Sequence, residues 1–147
     1  MAQAGARPLR LLAEDADDLQ VISAALQDAI VKVGDILHEP QARRLTVVLN
    51  RFRWESSRHE RVRAALQLGG VLDVKSRRIR REAKTAVLSL LAVTFEPNGD
   101  AEDPGGTLVL TFAGGGDLRA DVEALDAVLA DLSAPWPTPR APRHADS

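Results

Sequence analysis

Arg61-Val62-Arg63-Ala64-Ala65-Leu66-Gln67-Leu68-Gly69-Gly70-Val71 is the stretch on which the reading of the fold turns. Val62, Ala64, Leu66 and Leu68 alternate with Arg61, Arg63, Ala65 and Gln67. A period of two gives a strand one buried face and one wet face, as in an antiparallel sheet. Gly69-Gly70 interrupts the rhythm, and Val71 to Ser76 resumes it. Glycine adopts positive φ without steric cost, so the pair predicts a tight hairpin between two strands.

Upstream, Arg44 to Trp54 is the longest strand candidate, with Leu45, Val47 and Leu49 on one face and Val48, Phe52 and Trp54 on the other. Ile30 to Val33 and Ile36 to His38 read as strand around a bulge or bend at Gly34-Asp35. Leu19, Ile22, Leu26 and Ile30 recur at helical spacing behind the acids Glu14, Asp15, Asp17 and Asp18, which suit a helix N-terminus. That predicts a leading helix from about Asp17 to Asp28, preceded by a short edge strand over Pro8 to Leu12.

Downstream, Val87 to Phe95 and Thr107 to Phe112 read as strands separated by an acidic, Gly/Pro-rich loop. Leu118, Val122, Leu125, Leu129 and Leu132 follow helical spacing. They predict a short last strand that runs into a C-terminal helix from about Val122 to Leu132. The expected fold is α+β: an antiparallel sheet or partly open barrel of about seven strands with a C-terminal helix, plus an N-terminal helix. This is the element order of pleckstrin-homology-like domains. A single domain over residues 8–133 is expected, followed by a Pro-rich, disordered tail over residues 134–147 in which Trp136 docks on the body.

A chain of 147 residues fits one domain. Folding at that size buries about 70% of the unfolded surface, so neither disulfide nor metal is required for stability. No cysteine is present, which excludes disulfide scaffolds, thiolate zinc sites, iron–sulfur clusters and thiol catalysis. No apolar run approaches the ~18 residues of a membrane-spanning helix, and Pro8, Arg10 and Glu14 interrupt any signal-peptide core. A cytoplasmic protein without membrane insertion is expected. From Arg43 to Lys84 there are 13 Lys/Arg against 4 Asp/Glu, a net of +9, and the rest of the chain has 6 against 17, a net of −11. A basic middle between acidic ends serves an anionic partner or is neutralised within the fold.

Three stretches carry a family resemblance: Ser23-Ala24-Ala25-Leu26-Gln27-Asp28-Ala29 on to Gly34-Asp35, Leu49-Asn50-Arg51-Phe52-Arg53-Trp54-Glu55, and Thr111-Phe112-Ala113-Gly114-Gly115-Gly116 on to Arg119, Asp121, Val122 and Glu123. Together they resemble an uncharacterised bacterial, alphaproteobacterial family, domain-of-unknown-function family 2948, over about residues 9 to 140. Ala120 stands where that family carries a larger apolar residue. The resemblance implies a bacterial cytosolic protein and no established activity, and it brings no catalytic residues or cofactor with it.

Two groups of residues are candidates for binding. Lys75, Arg77, Arg78, Arg80, Arg81 and Lys84 form a basic stretch suited to an anionic ligand, or to pairing with the acidic ends. Ile79 is the one large apolar residue among them and aromatics are scarce, so nucleic acid is a poor fit. Arg51 and Arg53 with Trp54 offer an arginine-rich strand with an aromatic anchor. Against that stands ordinary pairing with Glu60, Asp73 or Asp121. Gly114-Gly115-Gly116 lacks the Lys-Ser/Thr of a phosphate loop and reads as a turn. His38, His59 and His144 have no partner at metal-ligand spacing. No catalytic, metal or cofactor residues are therefore assigned. The reading is a non-enzymatic binding or adaptor module for a protein or anionic partner. The alternatives are a small enzyme with an acid/His-based site drawing on Asp35, His38, Asn50 or Glu55, and a weak nucleic-acid binder. Oligomeric state is not legible.

Overall fold

The computed structural model describes residues 7–139 and 142. Their elements run β1 (Arg10–Ala13), α1 (Ala16–Ala25), β2 (Ala29–Glu39), β3 (Arg44–Phe52), β4 (Glu60–Leu68), β5 (Val71–Arg77), β6 (Val87–Pro97), β7 (Gly106–Phe112), β8 (Asp117–Val122), β9 (Ala127–Asp131) and β10 (Trp136–Pro137). This is an α+β fold with a single antiparallel sheet and one helix among the described residues. The strand order is β1-β9-β4-β3-β2-β6-β7-β8-β5, with β10 added to β4. His144 and much of the proline-rich tail lie outside the described residues. Inside that tail, Trp136 and Pro137 pair with Arg61 and Glu60.

The period-two faces lie where the alternation puts them. Ala64, Leu66 and Leu68 of β4 meet Leu45, Val47 and Leu49 of β3 in one core with Leu108, Leu110 and Phe112 of β7, and Val62 is buried as well. β2 is a single strand whose register slips between Val31 and Ile36, around Gly34. In α1 the Asp15 carboxylate caps the helix by accepting from the Asp18 N–H at 2.8 Å. Leu19, Ile22 and Leu26 enter the core. Ser23 Oγ accepts from the Val93 N–H of β6 at 2.9 Å and fastens the helix to the sheet.

Three expectations are corrected. The helix over Val122 to Leu132 is absent. Its second half is β9, an inner strand that pairs with both β1 and β4. Ala and Leu are good helix formers, but Ala127 and Leu129 also alternate with Val128 and Ala130. Hydrogen-bonded ladders on two sides override local preference. The pleckstrin-homology-like order loses its closing helix, and the strands among the described residues number ten rather than about seven. Gly69-Gly70 is not a hairpin turn either, because β4 and β5 pair with different strands.

At Gly69-Gly70 the chain turns a corner instead. The Gly69 N–H donates to Asp126 O, and the Glu123 N–H donates to Gly70 O. The continuous stave β4–β5 therefore stays paired with the stave β8–β9 as both bend. Gly70 takes φ +65°, which the corner requires and most side chains disfavour. The bend folds the sheet back on itself, so the strands of both halves contribute to one hydrophobic core.

The strand assignment of β9 has a direct test. Ala130 faces outward between Arg10 and Ala65. Ala130→Thr raises strand propensity and lowers helix propensity. It is expected to leave stability unchanged or raise it by up to about 0.5 kcal/mol in urea unfolding, whereas a helix would lose a comparable amount.

Candidate functional site

The inward row of β3 does not stop at Leu49. Arg51 is the next residue on that face and is fully buried. A guanidinium in a core needs every donor satisfied by fixed acceptors. Arg51 Nε and Nη2 donate to the two Asp131 oxygens at 2.8 and 2.9 Å. Nη1 and Nη2 also donate to the two Glu55 oxygens at 2.9 and 2.7 Å. Both sides of the fork are thus bidentate. Burial by itself would lower the Arg51 pKa, but the hydrogen bonds and charges of Glu55 and Asp131 raise it above its ordinary value. Asp131 is also buried, and its Oδ2 accepts from the Leu9 N–H at 2.8 Å. One guanidinium therefore joins β3, β9, the chain leading into β1, and the loop after β3.

That loop carries Trp54. Its ring meets Phe52 edge-on at 4.6 Å between centroids, and Nε1 donates to Gln27 O at 3.0 Å. Arg53 pairs with Glu60 at 2.5 Å, and Arg61 lies 5.9 Å from the Phe52 ring centre. Trp54 is left 36% exposed beside an open cleft of ≈ 330 Å³. The cleft is lined by Leu9 and Leu11 of the β1 segment, Val21, Ala24 and Ala25 of α1, and Trp54 and Glu55 of the loop after β3. It is a largely apolar groove with one carboxylate anchored to a buried arginine.

Arg51, Arg53 and Trp54 are therefore brought together, with Glu60 and Glu55 as partners; Asp73 and Asp121 lie elsewhere, opposite each other on β5 and β8. Asp131 was missed by sequence reasoning because its segment was read as helix. The signal that could have found it is Arg51 itself, at an inward position of a strand whose other inward residues are apolar.

The basic residues lie elsewhere, along β5 and the loop into β6. Lys75 approaches Asp73 at 3.9 Å, and Arg77 pairs with Asp117 at 2.6 Å. Burial pulls the Asp117 carboxyl the other way, but the Arg77 hydrogen bond dominates and holds it below its usual range. Arg78 takes φ +58°, and its guanidinium lies over Gly115. Arg80, Arg81 and Lys84 sit on a loop tied to β2 through the Gly34 N–H to Lys84 O bond at 2.9 Å. Much of the charge asymmetry is absorbed internally: Arg43–Glu123, Arg51–Asp131 and Arg77–Asp117 each join the basic middle to the acidic C-terminal part.

Of the four residues of the enzymatic alternative, Asp35 and Asn50 meet on one arginine, and Glu55 and His38 have other neighbours. Arg63 links Asp35 and Asn50, at 3.2 Å to each. Glu55 belongs to Arg51, and His38 lies opposite Leu45 farther along β3. Among the described residues, no group of three or more His, Asp or Glu side chains is placed to hold a metal ion. No helix among them is long and apolar enough to cross a membrane.

A family model described as a protein of unknown function (DUF2948) matches residues 9–144. No curated protein and no solved structure matches the chain.

Arg51→Met leaves the buried Asp131 carboxylate without its cation and is expected to cost about 3–5 kcal/mol in urea unfolding. Arg51→Lys rescues little, since an ammonium cannot serve two carboxylates bidentately. For Glu55, burial opposes ionisation, but the Arg51 hydrogen bond with the Arg51 and Arg53 charges lowers its pKa. A depressed carboxylate stabilises above the unfolded value of about 4.3, and that stabilisation is lost as pH falls through the folded value. The Tm gap between wild type and Glu55→Gln should therefore be widest near neutrality and close on acidification below about pH 4.

Proposed function

We propose that this chain, which belongs to the DUF2948 family through its match over residues 9–144, is a non-enzymatic binding module that recognises a protein partner at the Trp54 cleft. One observation carries the reading. A fully buried arginine, held by two carboxylates, fixes the loop that presents a part-exposed Trp beside an apolar groove. Burying an arginine is costly and gives little stability over an apolar core of the same volume. A rigid aromatic on a preformed concave surface is the usual anchor of a protein-binding site. Val21, 55% exposed on α1, extends the apolar wall to the surface. The setting that goes with this reading is the bacterial cytoplasm.

A second reading, an anionic partner on the loop, is supported by Arg78, Arg80, Arg81 and Lys84 sharing one ordered segment with Glu82 as its only acid. It predicts binding to inorganic polyphosphate that falls steeply with salt; a flat salt dependence would end it.

The cleft reading is tested with a random peptide library selected on the wild-type protein. Enriched peptides should lose about tenfold or more in affinity on Val21→Asp or Trp54→Ala, the loss typical of a central anchor. They should bind unchanged when Arg78, Arg80, Arg81 and Lys84 are neutralised. Peptides indifferent to both cleft substitutions would refute the assignment.

A further inference from the structure

One wall of the cleft is a sheet edge, and its unpaired main chain has a definite pattern. Among the described residues, β1 pairs with β9 on one side only. The Asp131 N–H donates to Leu9 O at 2.9 Å, while the Leu9 N–H is taken by the Asp131 side chain. Leu9 therefore faces β9. Alternation in an antiparallel ladder makes Leu11 and Ala13 face it too, opposite Leu129 and Ala127. Arg10 and Leu12 aim their N–H and C=O groups away from β9, along the free edge. Pro8 has the same parity and no N–H to offer, so the pairing edge is short and confined to Arg10 and Leu12. The side chains of Leu9 and Leu11 turn the other way from those of Arg10 and Leu12, and line the cleft.

Acidic side chains flank this groove, and Arg53, 3.7 Å from Glu55, is buried and paired with Glu60. Glu55 lines the groove, its side chain 41% exposed. Asp17 and Asp18 stand in the first turn of α1, four and three residues before Val21, and so on the same side of the helix. Arg51 cannot offset them at the surface, because both of its edges are committed to Glu55 and Asp131. Arg10 lies on the opposite face of β1 with Leu12.

The geometry points to an extended peptide segment of alternating apolar and basic residues, added as a strand to the free edge of β1. Its apolar side chains enter the groove of Leu11, Val21 and Trp54, and its cations meet Glu55, Asp17 and Asp18. The proposal rests on the cleft being the recognition site and states how it is read. The main chain supplies pairing, the groove selects every second side chain, and the acidic rim selects charge. A second copy of this chain is the less suited occupant, because two copies would bring their acidic rims together across a symmetric contact.

An acetylated, amidated hexapeptide alternating lysine and valine is the probe, titrated into the full chain and followed by amide and indole resonances and by hydrogen exchange. Expected are shifts confined to Arg10–Ala13, Val21–Ala25 and the Trp54 indole, with new exchange protection at the Arg10 and Leu12 amides. Replacing lysine by glutamate should weaken binding by about tenfold, and N-methylating the pairing edge of the peptide should weaken it at least as much. If the N-methylated peptide binds equally well at Trp54, strand addition is wrong while the cleft remains a docking site. If no peptide shifts any of these resonances, the alternating apolar and basic strand is overturned, while the cleft reading is decided by the library selection. If the protein alone self-associates with Arg10 and Leu12 already protected, the edge belongs to a second copy and the peptide proposal is overturned.

Discussion

A guanidinium placed inside a hydrophobic core is the constraint from which the rest of this end of the molecule follows. Arg51 cannot be neutralised at any accessible pH, so its donors must be matched by acceptors that do not move. The two carboxylates come from distant parts of the chain: Asp131 from β9, and Glu55 from the loop after β3. Asp131 in turn takes the Leu9 N–H and fixes the entry into β1. The walls of the cleft are set by one network of charge-assisted hydrogen bonds, of which those to Asp131 are shielded from water and so stronger than on the surface.

The second organising feature is the corner at Gly69-Gly70. There the paired staves β4–β5 and β8–β9 bend together without losing their hydrogen bonds. The bend carries β5 and β8 to the far end of the sheet, where Arg77 finds Asp117. It also places β9 beside β4, where Asp131 comes within reach of Arg51. Of the charges that look like a recognition stripe along the sequence, Arg77 is a partner across the fold, while Arg78, Arg80, Arg81 and Lys84 stay together on the loop. Lys75 and Arg77 also lie on β5, an edge strand, where cations discourage pairing with another chain.

The two ends of the molecule accordingly differ in character. Around Trp54 the surface is apolar and concave, with negative rims, and its shape is held by buried bonds. Along the loop from Arg78 to Lys84 it is cationic, and the loop is held by main-chain bonds to β2. A concave apolar surface with an aromatic anchor suits recognition of another protein, whereas a mostly exposed cationic loop suits charge attraction, which salt screens.

The amino-acid sequence by itself determined the strands whose side chains alternate strictly. Val62 to Leu68, Leu45 to Leu49 and Leu108 to Phe112 bury the faces their spacing prescribes, because a period of two leaves a strand no other way to segregate oil from water. Arg51, Arg53 and Trp54 stand within four consecutive positions, so their proximity is local, whereas what each one touches is not. Only the tertiary structure decided the fate of residues 122–132, whose leucines and alanines satisfy the helical and the extended period alike; a place between β1 and β4 offered two ladders of hydrogen bonds, and a helix on the surface offered none. Tertiary structure likewise made Gly69-Gly70 a corner instead of a hairpin, since a glycine pair permits both and the strand that each flank meets selects one. The partner of Arg51 was hidden for the same reason: Asp131 is 80 residues away in sequence, and no local pattern reports a contact that exists only once the sheet has folded back on itself.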